Sequence, residues 1–177
     1  MNWSIKKVAR VLLAVTVLSG GMLSWASEVR AQEKGSTLAQ QVQGNWILVS
    51  LYNEQNGMKT ELFGPQPRGF LMMTPDGRIS IILMRASLPK FAANNRMKGT
   101  PEENQAVVQG SLAEYGTYAV ASEKEHLVIW HLEACTFPNW EGTDQKRIMD
   151  VSGDELKITV PAGSTGGSNY LVFKRAK

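Results

Sequence analysis

The amino-acid sequence predicts an all-β protein, a single closed antiparallel β-barrel of about eight to nine strands with one short helix inserted near 101–114. Three observations carry this reading. Short apolar–polar alternations recur from Asn45 to Arg175, separated by Asn-Gly, Pro-Asp-Gly and Ser-Gly-Asp turn signals. Only one segment between them has helical spacing. The strands follow one another in hairpin order, and closing such a meander into a barrel removes its exposed edges. An open two-sheet sandwich is the competing architecture, but it needs Greek-key connections that are not evident here.

The elements follow in order. Residues 1–31 read as a cleavable export signal: Lys6, Lys7 and Arg10 are basic, Val11 to Leu18 is apolar, and small residues allow cleavage after Ala26 or Ala31. A membrane anchor is the alternative, but Gly20, Gly21, Thr16, Ser19 and Ser24 interrupt a run already short of the roughly 20 apolar residues needed to span. Residues 32–43 form a polar lead in which Thr37 to Gln43 make a helical turn ending at Gly44. The barrel domain then spans 44–177.

Its first strand starts at Asn45, with Trp46, Leu48 and Ser50 on one side and Ile47, Val49 and Leu51 on the other. Asn56-Gly57 turns the chain into Lys59–Phe63. Phe70–Thr74 and Arg78–Arg85 flank Pro75-Asp76-Gly77, where proline presets φ and glycine accepts a positive one. Residues 86–115 interrupt the pattern. Thr100-Pro101-Glu102-Glu103 carries a capping box with proline in the first turn, and Val108, Leu112 and Tyr115 make one apolar stripe. An insertion of that length is often a lid over a site. Strands return at Gly116–Ala121, His126–Ala134, Gln145–Val151, Glu155–Val160 and Asn169–Arg175.

Charge and cysteine content narrow the function. Of 19 basic residues, Lys6, Lys7, Arg10 and Arg30 precede Gln32; of 16 acidic ones, only Glu28 does, leaving 15 of each. A balanced mature chain without basic clusters gives no grounds for nucleic-acid binding, and signal cleavage leaves no membrane anchor. Cys135 is the single cysteine, so no intramolecular disulfide forms, and nothing nearby activates its thiol; it reads as a small buried apolar residue. Two histidines and one cysteine assemble no familiar metal set, no nucleophile elbow is present, and no cofactor is implied.

The richest chemistry lies in His131–Arg147, HLEACTFPNWEGTDQKR. Placing Leu127, Ile129, His131 and Glu133 on the inner face lets Gln145 and Arg147 match them from the next strand. His131, Glu133, Trp140 and Arg147, with Tyr118, then form a ligand site of apolar walls and a few placed polar groups. Arg147 would recognise a carboxylate in bidentate fashion. A structural Glu133–Arg147 ion pair is the bland alternative.

The segments GNWILVS, GPQPRGFLMMTPDGRIS, GTPEEN, YGTYAV and HLEACTFPNWEGTDQKR, in that order, resemble the bacterial and fungal lipocalin-like domain family from Gln43 to Arg175. Met73 stands where many relatives carry a tyrosine. The resemblance implies a calycin-type barrel whose Gly44-Asn45-Trp46 tryptophan closes one end against an arginine of the last strand, here Arg175. Barrels of this kind host both binders and enzymes. Two functions therefore stay open: an exported binder of a small hydrophobic or amphipathic molecule, acidic if Arg147 recognises it, and a cofactor-free isomerase, cyclase or hydrolase with His131 or Glu133 as acid or base. An envelope protein with a filled interior is a third.

Overall fold

The computed structural model describes residues 35–177; the export signal read from 1–31 lies outside the described residues. Thr37–Lys177 form one compact unit. Its strands are β1 (Gly44–Gln55), β2 (Met58–Thr60), β3 (Arg68–Met73), β4 (Arg78–Met84), β5 (Ser111–Ser122), β6 (Leu127–Cys135), β7 (Asp144–Ser152), β8 (Glu155–Val160) and β9 (Ser168–Arg175), with helices α1 (Leu38–Gln41) and α2 (Pro101–Gly110). The order is β2-β1-β3-β4-β5-β6-β7-β8-β9, and β1 also pairs with β9. Every pairing is antiparallel. Eight strands thus close a barrel, and β2 is a short extra strand hairpinned onto the end of β1.

The turn chemistry explains the register. Asn56 and Gly57 both take positive φ, 52° and 77°, the primed turn that matches strand twist in a two-residue hairpin. Thr100 caps α2 by accepting from the Glu103 N–H at 3.2 Å, while Glu103 accepts from the Thr100 N–H at 2.9 Å. The helix is shorter than the apolar stripe implied. It ends at Gly110, and Ser111 already pairs with Met84. Leu112 and Tyr115 therefore belong to β5, and Val108 is exposed. Pairing with β4 outweighs the i, i+4 coincidence, because each strand residue gains both ladder bonds and a face to pack.

Two irregularities decide which side chains point inward. β1 shifts register against β9 between Leu48 and Ser50, so Trp46 and Leu48 are buried before it and Leu51 and Asn53 after it. Leu51 thus joins the inner face, not the outer face expected from unbroken alternation. β6 shifts against β5 between Leu132 and Ala134, leaving Glu133 unpaired. Val128, Trp130 and Leu132 point inward before this bulge, and Cys135 after it. Gly116 sits opposite, where an added Cβ would stand 1.9 Å from the His131 carbonyl oxygen, so no other residue fits that close approach.

One end of the barrel is plugged. Leu38 and Val42 bury themselves beneath Trp46, whose indole N–H donates to the Val42 carbonyl at 2.8 Å. The Arg175 guanidinium lies 4.1 Å over the Trp46 ring and donates to the Gln43 and Gln41 carbonyls at 2.8 and 3.1 Å. This is the tryptophan–arginine closure that the resemblance implied. The Leu38 N–H donates to Glu123 at 2.9 Å, tying α1 to the β5–β6 turn.

Candidate functional site

At the end opposite α1 the barrel encloses a cavity of about 440 Å³. That volume falls within the roughly 300–1,000 Å³ typical of small-molecule sites. Its walls are core side chains such as Leu51, Ile81, Ile158 and Leu171, each projecting inward from its strand. Its mouth is framed by four connections: Phe63 after β2, Val108 and Gln109 of α2, Phe137 and Trp140 after β6, and Ser164 and Thr165 after β8. The 86–115 insertion therefore contributes to the rim through the last turn of α2. Trp140 meets Phe137 edge to face, ring centres 5.4 Å apart, which props the two rings together at the mouth.

Among the polar side chains that line this chamber, Arg147, Glu114 and Trp130 come together deep inside it. Arg147 pairs in register with Val128, and directly opposed residues share a face, so Arg147 points inward beside Trp130. Its guanidinium carbon lies 4.8 Å from the Trp130 ring centre, and Nη1 donates to the Lys146 carbonyl at 2.9 Å. Nη2 lies 3.6 Å from Oε1 of Glu114, both side chains 3% exposed. Burial lowers the Arg147 pKa, the Glu114 carboxylate working against it. Burial likewise raises the Glu114 pKa, opposed by Arg147 and by the Cys135 thiol, which approaches Oε2 at 3.6 Å. Among the described residues, the Trp130 indole nitrogen is the one buried side-chain nitrogen or oxygen without a hydrogen-bond partner. Leaving a buried donor unsatisfied costs about 1–3 kcal/mol.

The expected site is only partly assembled. Arg147 and Trp140 line the cavity; His131 and Glu133 do not. Both lie on the exposed outer face of β6, since Val128, Trp130 and Leu132 occupy the inner one. His131 Nδ1 meets Asp144 at 2.8 Å, and Glu133 accepts two bonds from Arg78 at 2.5 and 2.8 Å. The face of β7 that carries Arg147 therefore matches the Val128, Trp130 and Leu132 face of β6, not the His131 face expected from the sequence. Both faces of β6 carry large apolar groups, so alternation alone does not discriminate between them. Tyr118 packs against the core at the plugged end, where its hydroxyl donates to the Thr74 carbonyl at 2.9 Å, and is not a cavity residue. The acid that faces Arg147 is Glu114, a residue of β5 and not of the helix expected over 101–114.

Among the described residues, no three His, Cys, Asp or Glu side chains gather where they would hold a metal ion. Nor is any helix among them long and apolar enough to cross a membrane.

A family model described as a lipocalin-like domain matches residues 43–176, the whole barrel from β1 to β9. A 4'-hydroxy-3'-methoxypropiophenone carrier protein of Aspergillus oryzae is 29% identical over 86 residues, covering 46% of this chain and 78% of that protein. The match runs through all the barrel strands and the loops at the cavity mouth, and on this evidence the chain belongs to the lipocalin-like domain family.

Proposed function

We propose that this protein is a carrier that holds a small, partly apolar molecule inside the barrel. The observation that carries this reading is the 440 Å³ cavity, with apolar walls, an aromatic mouth and the Glu114–Arg147–Trp130 group at its inner side. The carrier role named for the Aspergillus relative, whose ligand is an aryl ketone, supports it. A molecule of that size with an aromatic body suits the chamber. Export is part of the proposal and rests on the reading of residues 1–31.

Catalysis through His131 or Glu133 has no geometric support, because both side chains face solvent and are paired with Asp144 and Arg78. Native mass spectrometry of protein purified from its host tests the carrier reading. A carrier shows a bound small molecule that is released on denaturation. Ligand-free protein that also binds no neutral apolar probe contradicts the proposal.

A further inference from the structure

We infer that the cavity selects an uncharged molecule that leads with an oxygen acceptor, such as a ketone, ester or phenol, and discriminates against carboxylates. This rests on the carrier reading and narrows it to a chemical class. An arginine inside a barrel ordinarily points to an anion. Here its charge is already matched within the chamber by Glu114, 3.6 Å away and equally buried. A carboxylate entering beside them would surrender its hydration to reach a site whose charge is balanced, and would face Glu114 as well as Arg147. An uncharged oxygen meets no such penalty.

The hydrogen-bonding capacity points the same way. The Trp130 indole N–H is a donor only, is buried and has no partner, and its residue lines the cavity, so a ligand acceptor that reaches the nitrogen would satisfy it. It belongs to the same ring that Arg147 overlies at 4.8 Å. The 3.6 Å between Arg147 Nη2 and Glu114 Oε1 is longer than a hydrogen bond, so both atoms keep capacity for a ligand oxygen or hydroxyl. Arg85, the other cation lining the cavity, stands at the mouth, where it donates to the Leu62 carbonyl at 3.5 Å. It does not change the balance at the inner end.

Displacement of the neutral fluorophore N-phenyl-1-naphthylamine by propiophenone, 3-phenylpropionate and propylbenzene at pH 7 tests the inference on one carbon framework. The expected result is that propiophenone binds about ten-fold more tightly than either of the others. Equal or tighter binding of 3-phenylpropionate overturns the inference, as does failure of all three to displace the fluorophore; in both cases the carrier reading survives. If the fluorophore itself does not bind, the carrier reading falls, and the inference with it. Glu114→Gln uncovers the Arg147 charge and should strengthen 3-phenylpropionate binding about ten-fold; unchanged affinity in a folded variant counts against the charge-balance argument. Should that variant not fold, Trp130→Phe provides the second arm. It keeps an aromatic ring, smaller than the indole, and loses the N–H, so propiophenone and propylbenzene should then bind alike, and a persisting preference for the ketone contradicts the role given to Trp130.

Discussion

Glu114 on β5 and Arg147 on β7 meet across the intervening strand β6, Oε1 to Nη2 at 3.6 Å, inside the barrel. The pair is the main polar feature of the chamber. Its energetics are asymmetric, because a carboxyl group escapes burial by taking up a proton whereas a guanidinium does not.

That asymmetry sets a pH dependence. Removing Arg147 as Arg147→Met leaves burial to push the Glu114 pKa further above its ordinary 4.5. The folded state then holds the proton more tightly than the unfolded one, so stability falls as pH rises from the unfolded value through the folded one. Urea unfolding of the variant should give a higher midpoint at pH 5 than at pH 8. The loss relative to the parent at pH 8 should be about 3 kcal/mol. A loss of the same size at both pH values would contradict the assignment.

The plugged end should respond to Arg175. Arg175→Met removes the cation over Trp46 and two donors to backbone carbonyls, at an expected cost of about 2 kcal/mol in thermal or urea unfolding. Because this end lies away from the cavity, affinity for an apolar probe should stay within two-fold, an order-of-magnitude bound of about 0.4 kcal/mol. A large affinity loss in a folded Arg175→Met protein would show that the two ends are coupled.

The outer face of β6 should be silent in binding. His131→Ala and Glu133→Gln leave the cavity lining untouched, so probe affinity should match the parent in titration. The Arg78 guanidinium holds the Glu133 carboxyl below its ordinary range, so the small stabilisation from that pair is present above pH 4.5 and fades as pH falls through the lowered value. Loss of binding in His131→Ala would restore the sequence-based placement of the site.

Cys135 should be slow to react. Burial pushes its thiol pKa up, and the neighbouring Glu114 and Glu141 carboxylates push the same way. Iodoacetamide should label native protein far more slowly than unfolded protein at pH 7.5, and equal rates would contradict the burial.

Much of this architecture is legible in the sequence. Asn56-Gly57, Pro75-Asp76-Gly77 and the Thr100–Glu103 box mark turns and a helix start through local chemistry, which acts without tertiary context. Trp46 and Arg175 were paired through family resemblance. The inner lining was harder to read for two physical reasons. The bulges at Val49 and Glu133 change strand parity, and nothing in the residues themselves announces a bulge. Glu114 was hidden because Val108, Leu112 and Tyr115 happen to fall at helical spacing, although the helix stops at Gly110. Reading Ser111–Ser122 as one strand, with Leu112, Glu114 and Gly116 on one side, was the available signal.

The central claim is that the chamber behind Trp140 is the binding site. Leu171, buried inside the barrel on β9, lines it, and Leu171→Trp would push an indole into the chamber. Titration of N-phenyl-1-naphthylamine into parent and variant, with circular dichroism to establish folding, measures the claim directly. The parent should give saturable, one-to-one fluorescence enhancement, and the folded variant should bind the fluorophore more weakly. Equal enhancement in both proteins would place binding outside the barrel and contradict the account.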